Sequence, residues 1–350
     1  MADGTEINAC NNSGVPVDFP IKSFQYLKLV VYPFLLAICT VGNVTVITFL
    51  RNKKWHNTVS YYLTAIAIAD LISLWVEFPI YVLNAYMDNP ISVSFEYFMF
   101  GYLGLYSWIL DVATNISDWV LIVFSIERLA SVIFPIGMLK YAVPRQALRT
   151  ILVIAFLAIT LSVNLLVRYY YPIAHMDAGV PAWLADWTSV HNVAQTVNML
   201  LKFVLLFCVN CTLIVFLQRR RALSRQDLFE NSNNQTSVIQ VKSRSRPNAL
   251  LLASSLLYFI TTFPLIVLSI LTILSLPPYC SYALSGYSGT ILLSTLNLLQ
   301  MCNYSLNIVV YCLVSQRFRL PFLSCYSKVS HSLSSSFRSN SNGTSKSDSK

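Results

Sequence analysis

Apolar runs long enough to cross a membrane recur along this chain, separated by short polar stretches. A bilayer core about 30 Å thick takes roughly 20 apolar helical residues per crossing. Runs near that length extend from Leu27 to Leu50, Val59 to Tyr86, Met99 to Ala130, Ala147 to Leu166, Ala194 to Phe216, Asn248 to Leu274 and Thr290 to Val314. The pattern predicts an all-α fold, a seven-helix transmembrane bundle. After the last run, Phe318, Leu320, Phe322 and Leu323 interleave with Arg317 and Arg319, which predicts a short amphipathic eighth helix on one leaflet. The expected organisation is a polar N-terminal segment over 1–26, the bundle with its amphipathic helix over 27–326, and a disordered Ser-rich tail over 327–350.

Composition narrows the class. With 55% hydrophobic and only 11% charged residues, the chain is too apolar for a soluble domain. Of the 24 Lys and Arg, twenty fall on one alternating face, and only Lys22, Lys28, Arg168 and Lys202 fall on the other. Basic loops stay on the cytoplasmic side, so the expected topology has the N-terminus outside and the tail inside, as in a multi-pass plasma-membrane protein. The net charge of +9 is then a topology signal, and no nucleic-acid partner is implied. The first 26 residues lack an apolar signal core, so span one is expected to serve as its own insertion signal. Of the glycosylation sequons, Asn11 alone falls on an outer segment. Cys10 and Cys280 face the oxidising side and are a candidate disulfide, with two unpaired thiols as the alternative; Cys325 is a candidate palmitoylation site.

Polar groups inside the spans are functional candidates, because charge in hydrocarbon costs several kcal/mol unless paired or hydrated. Asp70 stands mid-span among small Ala residues. Asn43, Ser117, Asn303 and Asn307 lie at similar depth, and together they make a polar cluster suited to water or to Na⁺. A purely structural hydrogen-bond network reads equally well. Asp118, next to Ser117, is a second mid-span carboxylate expected to tune a resting equilibrium. Glu127 and Arg128 sit at the inner end of span three.

Taken in order, these features resemble a rhodopsin-like (class A) G-protein-coupled receptor, divergent and of an invertebrate neuropeptide type. The resemblance rests on Gly42-Asn43, Ala69-Asp70, Glu127-Arg128-Leu129, Pro264 of span six, Asn307-Ile308-Val309-Val310-Tyr311, and Phe318-Arg319. It implies an activation switch at Glu127, Arg128, Tyr258, Thr262, Pro264, Asn307 and Tyr311. In the resting state, Arg128 would pair with Glu127 and be held against the inner end of span six, which pivots at Pro264 on activation. The implied partners are an extracellular ligand, a heterotrimeric G protein, and arrestin and a receptor kinase acting on the Ser-rich tail. No cofactor is implied. Departures are numerous. Span three opens with Gly101-Tyr102-Leu103-Gly104 and Val167 to Val193 holds no Cys, so the family's outer disulfide is missing. Thr262 stands for the usual Trp, and Ile308 for the usual Pro.

Ligand class follows from what is present. Thr290 to Val314 holds no Lys for a retinal Schiff base, which excludes a photopigment. Leu110 occupies the position of the amine-receptor Asp, and Asp111 is turned about 100° from it. Glu77 could meet a cationic ligand group or an internal partner. Tyr81 and Tyr106 join it, with Leu110 and Asp111, as candidate ligand-binding residues. Outer acids Asp88, Glu96, Asp177 and Asp186 favour a basic peptide. A lipid or small-molecule ligand is the alternative. A transporter is the more distant one, since no internal repeat is evident. No motif of an intramembrane enzyme occurs.

Overall fold

The computed structural model describes residues 18–51, 57–85, 93–138, 143–174, 181–230, 246–275 and 286–314. Seven stretches among them are long and apolar enough to span a bilayer, and the chain is a multi-pass membrane protein. Span one is the helix Asp18–Leu50, and span two is Thr58–Trp75 continued by Phe78–Ala85. Span three is Val93–Ile133, followed by the short helix Pro135–Met138. Spans four to seven are Pro144–Ala174, Ala182–Glu230, Arg246–Ser275 and Gly286–Val314. The Arg128 end of the bundle is termed inner and the Tyr97 end outer, after the charge pattern.

Local chemistry sets several boundaries. The Asn57 side chain caps span two by accepting from the Ser60 amide at 3.0 Å, which satisfies an otherwise orphaned donor. Pro135 ends span three, since the residue before a proline avoids helical geometry. Hydroxyls buried along the spans return to their own helix. Ser125, Ser254, Ser255 and Ser305 each donate to the carbonyl four residues back at 2.8–3.1 Å. An apolar span can therefore carry these hydroxyls without exposing them to lipid.

Span three is the central rod, packed against spans two, four, five and six, while span one lies against seven and two. The inner core gathers Val46, Tyr62, Val120, Phe124, Leu206, Leu213, Leu251 and Tyr311. Span four is peripheral: only Ala147, Ala158 and Ser162 of it are buried, whereas Phe156 and Leu161 face outward, as suits lipid. Spans one and seven touch closely, because a Cβ built on Gly42 would lie 2.3 Å from Cγ2 of Ile308. Gly104 plays the same part between spans three and four, under the rings of Tyr169 and Tyr170. There Tyr169 donates its hydroxyl to the Phe100 carbonyl at 2.7 Å and Tyr170 donates to that of Gly101. This tyrosine clamp holds the outer end of span three, which carries no cysteine.

The structure revises three expectations. Span two breaks at Val76 and Glu77, just before Pro79, where a continuous run was expected. Lys202, counted with the outer-face charges although it falls inside the run Ala194 to Phe216, is buried in span five at 4% exposure. A single Lys among apolar neighbours hardly lowers mean hydropathy, and a buried acid partners it. The helices also outrun the apolar runs, most of all span five, because helix formation continues into polar flanks. The amphipathic eighth helix, the tail, Asn11, Cys10, Cys280 and Cys325 lie outside the described residues.

Candidate ligand-binding and signalling sites

At the inner end of span three, Arg128 Nη2 donates to Glu127 Oε1 at 2.8 Å, and its guanidinium lies 5.5 Å from the centre of the Phe124 ring. Tyr62 of span two lies beside the same Glu127. The Arg128 Nε has no partner among the described residues. The expected restraint by the inner end of span six is absent from these contacts. That end, from Arg246 onward, carries no acidic residue to supply it.

One level outward lies the Asp70 cluster. Asp70, 1% exposed, accepts from Ser117 Oγ at 3.0 Å and from Asn307 Nδ2 at 2.7 Å. Asn43 instead donates to Cys39 Sγ at 3.2 Å, and Cys39 reaches the carbonyls of Asp70 and Tyr304. Asn303 lines a small cavity of about 10 Å³ with Ser117, Asp118, Tyr258, Asn307 and Tyr311. The predicted cluster thus assembles around Asp70, Ser117 and Asn307, with Asn43 and Asn303 at its edges. Of the predicted switch residues, Tyr258, Asn307 and Tyr311 meet at this cavity. Thr262 and Pro264 lie further out on span six.

Between spans three and five a polar ladder crosses the bundle. Lys202 Nζ donates to Asp118 Oδ2 at 2.6 Å and to Asn115 Oδ1 at 3.1 Å. Asn198 donates to the same Asn115 oxygen at 3.1 Å, and Gln195 to Asp111 Oδ1 at 3.4 Å. Ser162 of span four closes the outer rung on Asp111 Oδ2 at 2.6 Å. Residues 111, 115 and 118 of span three and 191, 195, 198 and 202 of span five follow helical spacing, so each set forms one stripe. The single-residue reading missed Gln195, Asn198 and Lys202, although that spacing is visible in the sequence.

At the outer end, Glu77 is 3% exposed at the break in span two. It accepts from Lys28 of span one at 2.5 Å and from the Tyr106 hydroxyl. Tyr102 donates to the neighbouring Val76 carbonyl at 2.5 Å, and Tyr81 stacks on Tyr32 with centroids 4.9 Å apart. A cavity of about 90 Å³ is lined by Lys28, Glu77, Tyr106 and Leu110 with Asn297 and Gln300 of span seven. Asp111 points elsewhere, into a cavity of about 380 Å³ between spans three, four and five. The candidate ligand-binding residues therefore divide between two places.

Residues 42–311 match the family described as 7 transmembrane receptor (rhodopsin family). The chain belongs to that family. The matched region begins at Gly42, in the first motif, and ends at Tyr311, in the span-seven motif. The receptor is 21% identical over 335 residues to the sex peptide receptor of Drosophila melanogaster, covering 88% of this chain and 73% of that protein. It is also 30% identical over 129 residues to the probable G-protein coupled receptor B0563.6 of Caenorhabditis elegans, covering 36% of this chain and 29% of that protein.

Proposed function

We propose that the receptor binds an extracellular peptide and activates a heterotrimeric G protein through the inner end of span three, in the topology the charge pattern gives. The single observation that carries the coupling role is the largely buried Glu127–Arg128 pair, 2.8 Å apart at the inner end of span three. A charge there is costly unless it is used. Arg128 is bonded only within its own span among the described residues, so outward movement of span six would uncover it without breaking an ion pair to that span. The peptide assignment draws on the family, on the printed name of the Drosophila relative, and on the tyrosine-rich outer end around Glu77.

A lipid ligand is the second reading, favoured by a largely apolar cavity of about 580 Å³ that opens among spans one to four beside Trp108 and Ile159. The test is a screen of peptide and lipid libraries in cells carrying a promiscuous G protein, with wild type and Arg128→Ala in parallel. A peptide hit whose signal disappears in Arg128→Ala, at unchanged surface expression, is the expected result. Coupling that survives Arg128→Ala overturns the role given to Arg128, and lipid hits alone overturn the peptide reading.

A further inference from the structure

We infer that the cavity between spans three, four and five receives a basic group of the peptide, an ammonium or guanidinium, against Asp111. The inference rests on the peptide reading above and gives that ligand its chemistry. Carboxylates at membrane depth need compensation, and among the described residues Glu77, Asp118 and Glu127 each have a cation in contact. Asp70 and Asp111 have only neutral donors. The space beside the Asp70 partners is about 10 Å³, room for roughly one water. Asp111 opens instead on about 380 Å³, within the range of roughly 300–1,000 Å³ that small-ligand sites occupy.

The walls complete the specification. Leu157 and Leu161 are apolar and face the bilayer side, so the basic group must arrive on an apolar carrier. In such surroundings opposite charges attract far more strongly than at a wet surface. Beside the cavity, Asn164 Nδ2 meets His191 Nδ1. Asn164 Oδ1 and His191 Nε2 are buried and have no partner among the described residues. From Asp111 the ladder through Asn115 leads to Lys202 and Asp118, so a bound cation acts on the rungs that join spans three and five.

The test labels a thiol introduced by Ala194→Cys, at the cavity wall, with cationic and anionic methanethiosulfonate reagents added to intact cells. The parent protein serves as control for Cys208 and Cys211. The cationic reagent is expected to react roughly tenfold faster than the anionic one. Asp111→Asn should bring the ratio to near unity and Asp111→Glu should keep it, which separates loss of charge from loss of folding. Acetyl-leucyl-arginine amide should slow the labelling, and its citrulline counterpart, which keeps the shape without the charge, should not. A thiol that neither reagent reaches, a ratio unchanged by Asp111→Asn, or equal protection by both dipeptides overturns the inference. None of these readouts needs a G protein, so they stand or fall apart from the coupling experiment.

Discussion

Lys202 and Asp118 meet 2.6 Å apart in the middle of the bundle, with side chains 5% and 11% exposed. Removing one member of such a pair strands the other in a poor solvent for charge, whereas removing both leaves an apolar contact. Lys202→Met is therefore expected to cost about 3–5 kcal/mol. Lys202→Met combined with Asp118→Leu should recover most of that, read as unfolding midpoints of purified receptor in detergent. Gly42 gives a second prediction, in which two effects oppose each other. Helix propensity favours Gly42→Ala by about 1 kcal/mol. The new methyl would however sit 2.3 Å from Ile308 Cγ2, and a β-branched side chain in a helix has little freedom to turn away. The clash wins, so Gly42→Ala lowers the midpoint. In an Ile308→Ala background the penalty should shrink by about 1–3 kcal/mol in a double-mutant cycle.

At the scale of elements, spans three and four are joined at their outer ends by Tyr169 and Tyr170 lying over Gly104. Replacing each tyrosine by phenylalanine keeps the ring and removes the donor, at about 1 kcal/mol per hydrogen bond. The Tyr169→Phe, Tyr170→Phe double variant should therefore melt earlier than wild type, and Gly104→Leu, which evicts both rings, earlier still. Element existence was legible in the sequence because a membrane demands twenty-odd apolar residues in a row, a signal that survives any averaging. The break at Val76 and Glu77 was not, although Pro79 stood beside it, since proline is also tolerated inside spans one, four and six. The Asp70 cluster was legible because its members share a depth. The ladder escaped notice for a different reason. Lys202 was counted only as an outer-face charge and Asn115 was not weighed as a polar span residue, so neither was set against the stripe of the facing helix. Glu77 finds its internal partner across 49 residues of chain, a distance no local pattern encodes.

The whole molecule is a bundle whose polar interior is stacked in levels, from Glu77 through Asp111, Asp118 and Asp70 to Arg128. Such a bundle has two ends of opposite exposure. Epitope tags at the termini of unpermeabilised cells should report the N-terminus alone; a C-terminal signal under the same conditions would invert the assignment of every outer and inner group. The ladder also bears on how the receptor is made. Asp118 emerges from the ribosome 84 residues ahead of Lys202. Span three thus reaches the membrane with a carboxyl group whose counter-charge has not yet been synthesised. Release into lipid is cheap only when both arrive together, which makes spans three to five a single cargo for the translocation machinery and turns the order of synthesis into a constraint on where the chain can be cut and reassembled.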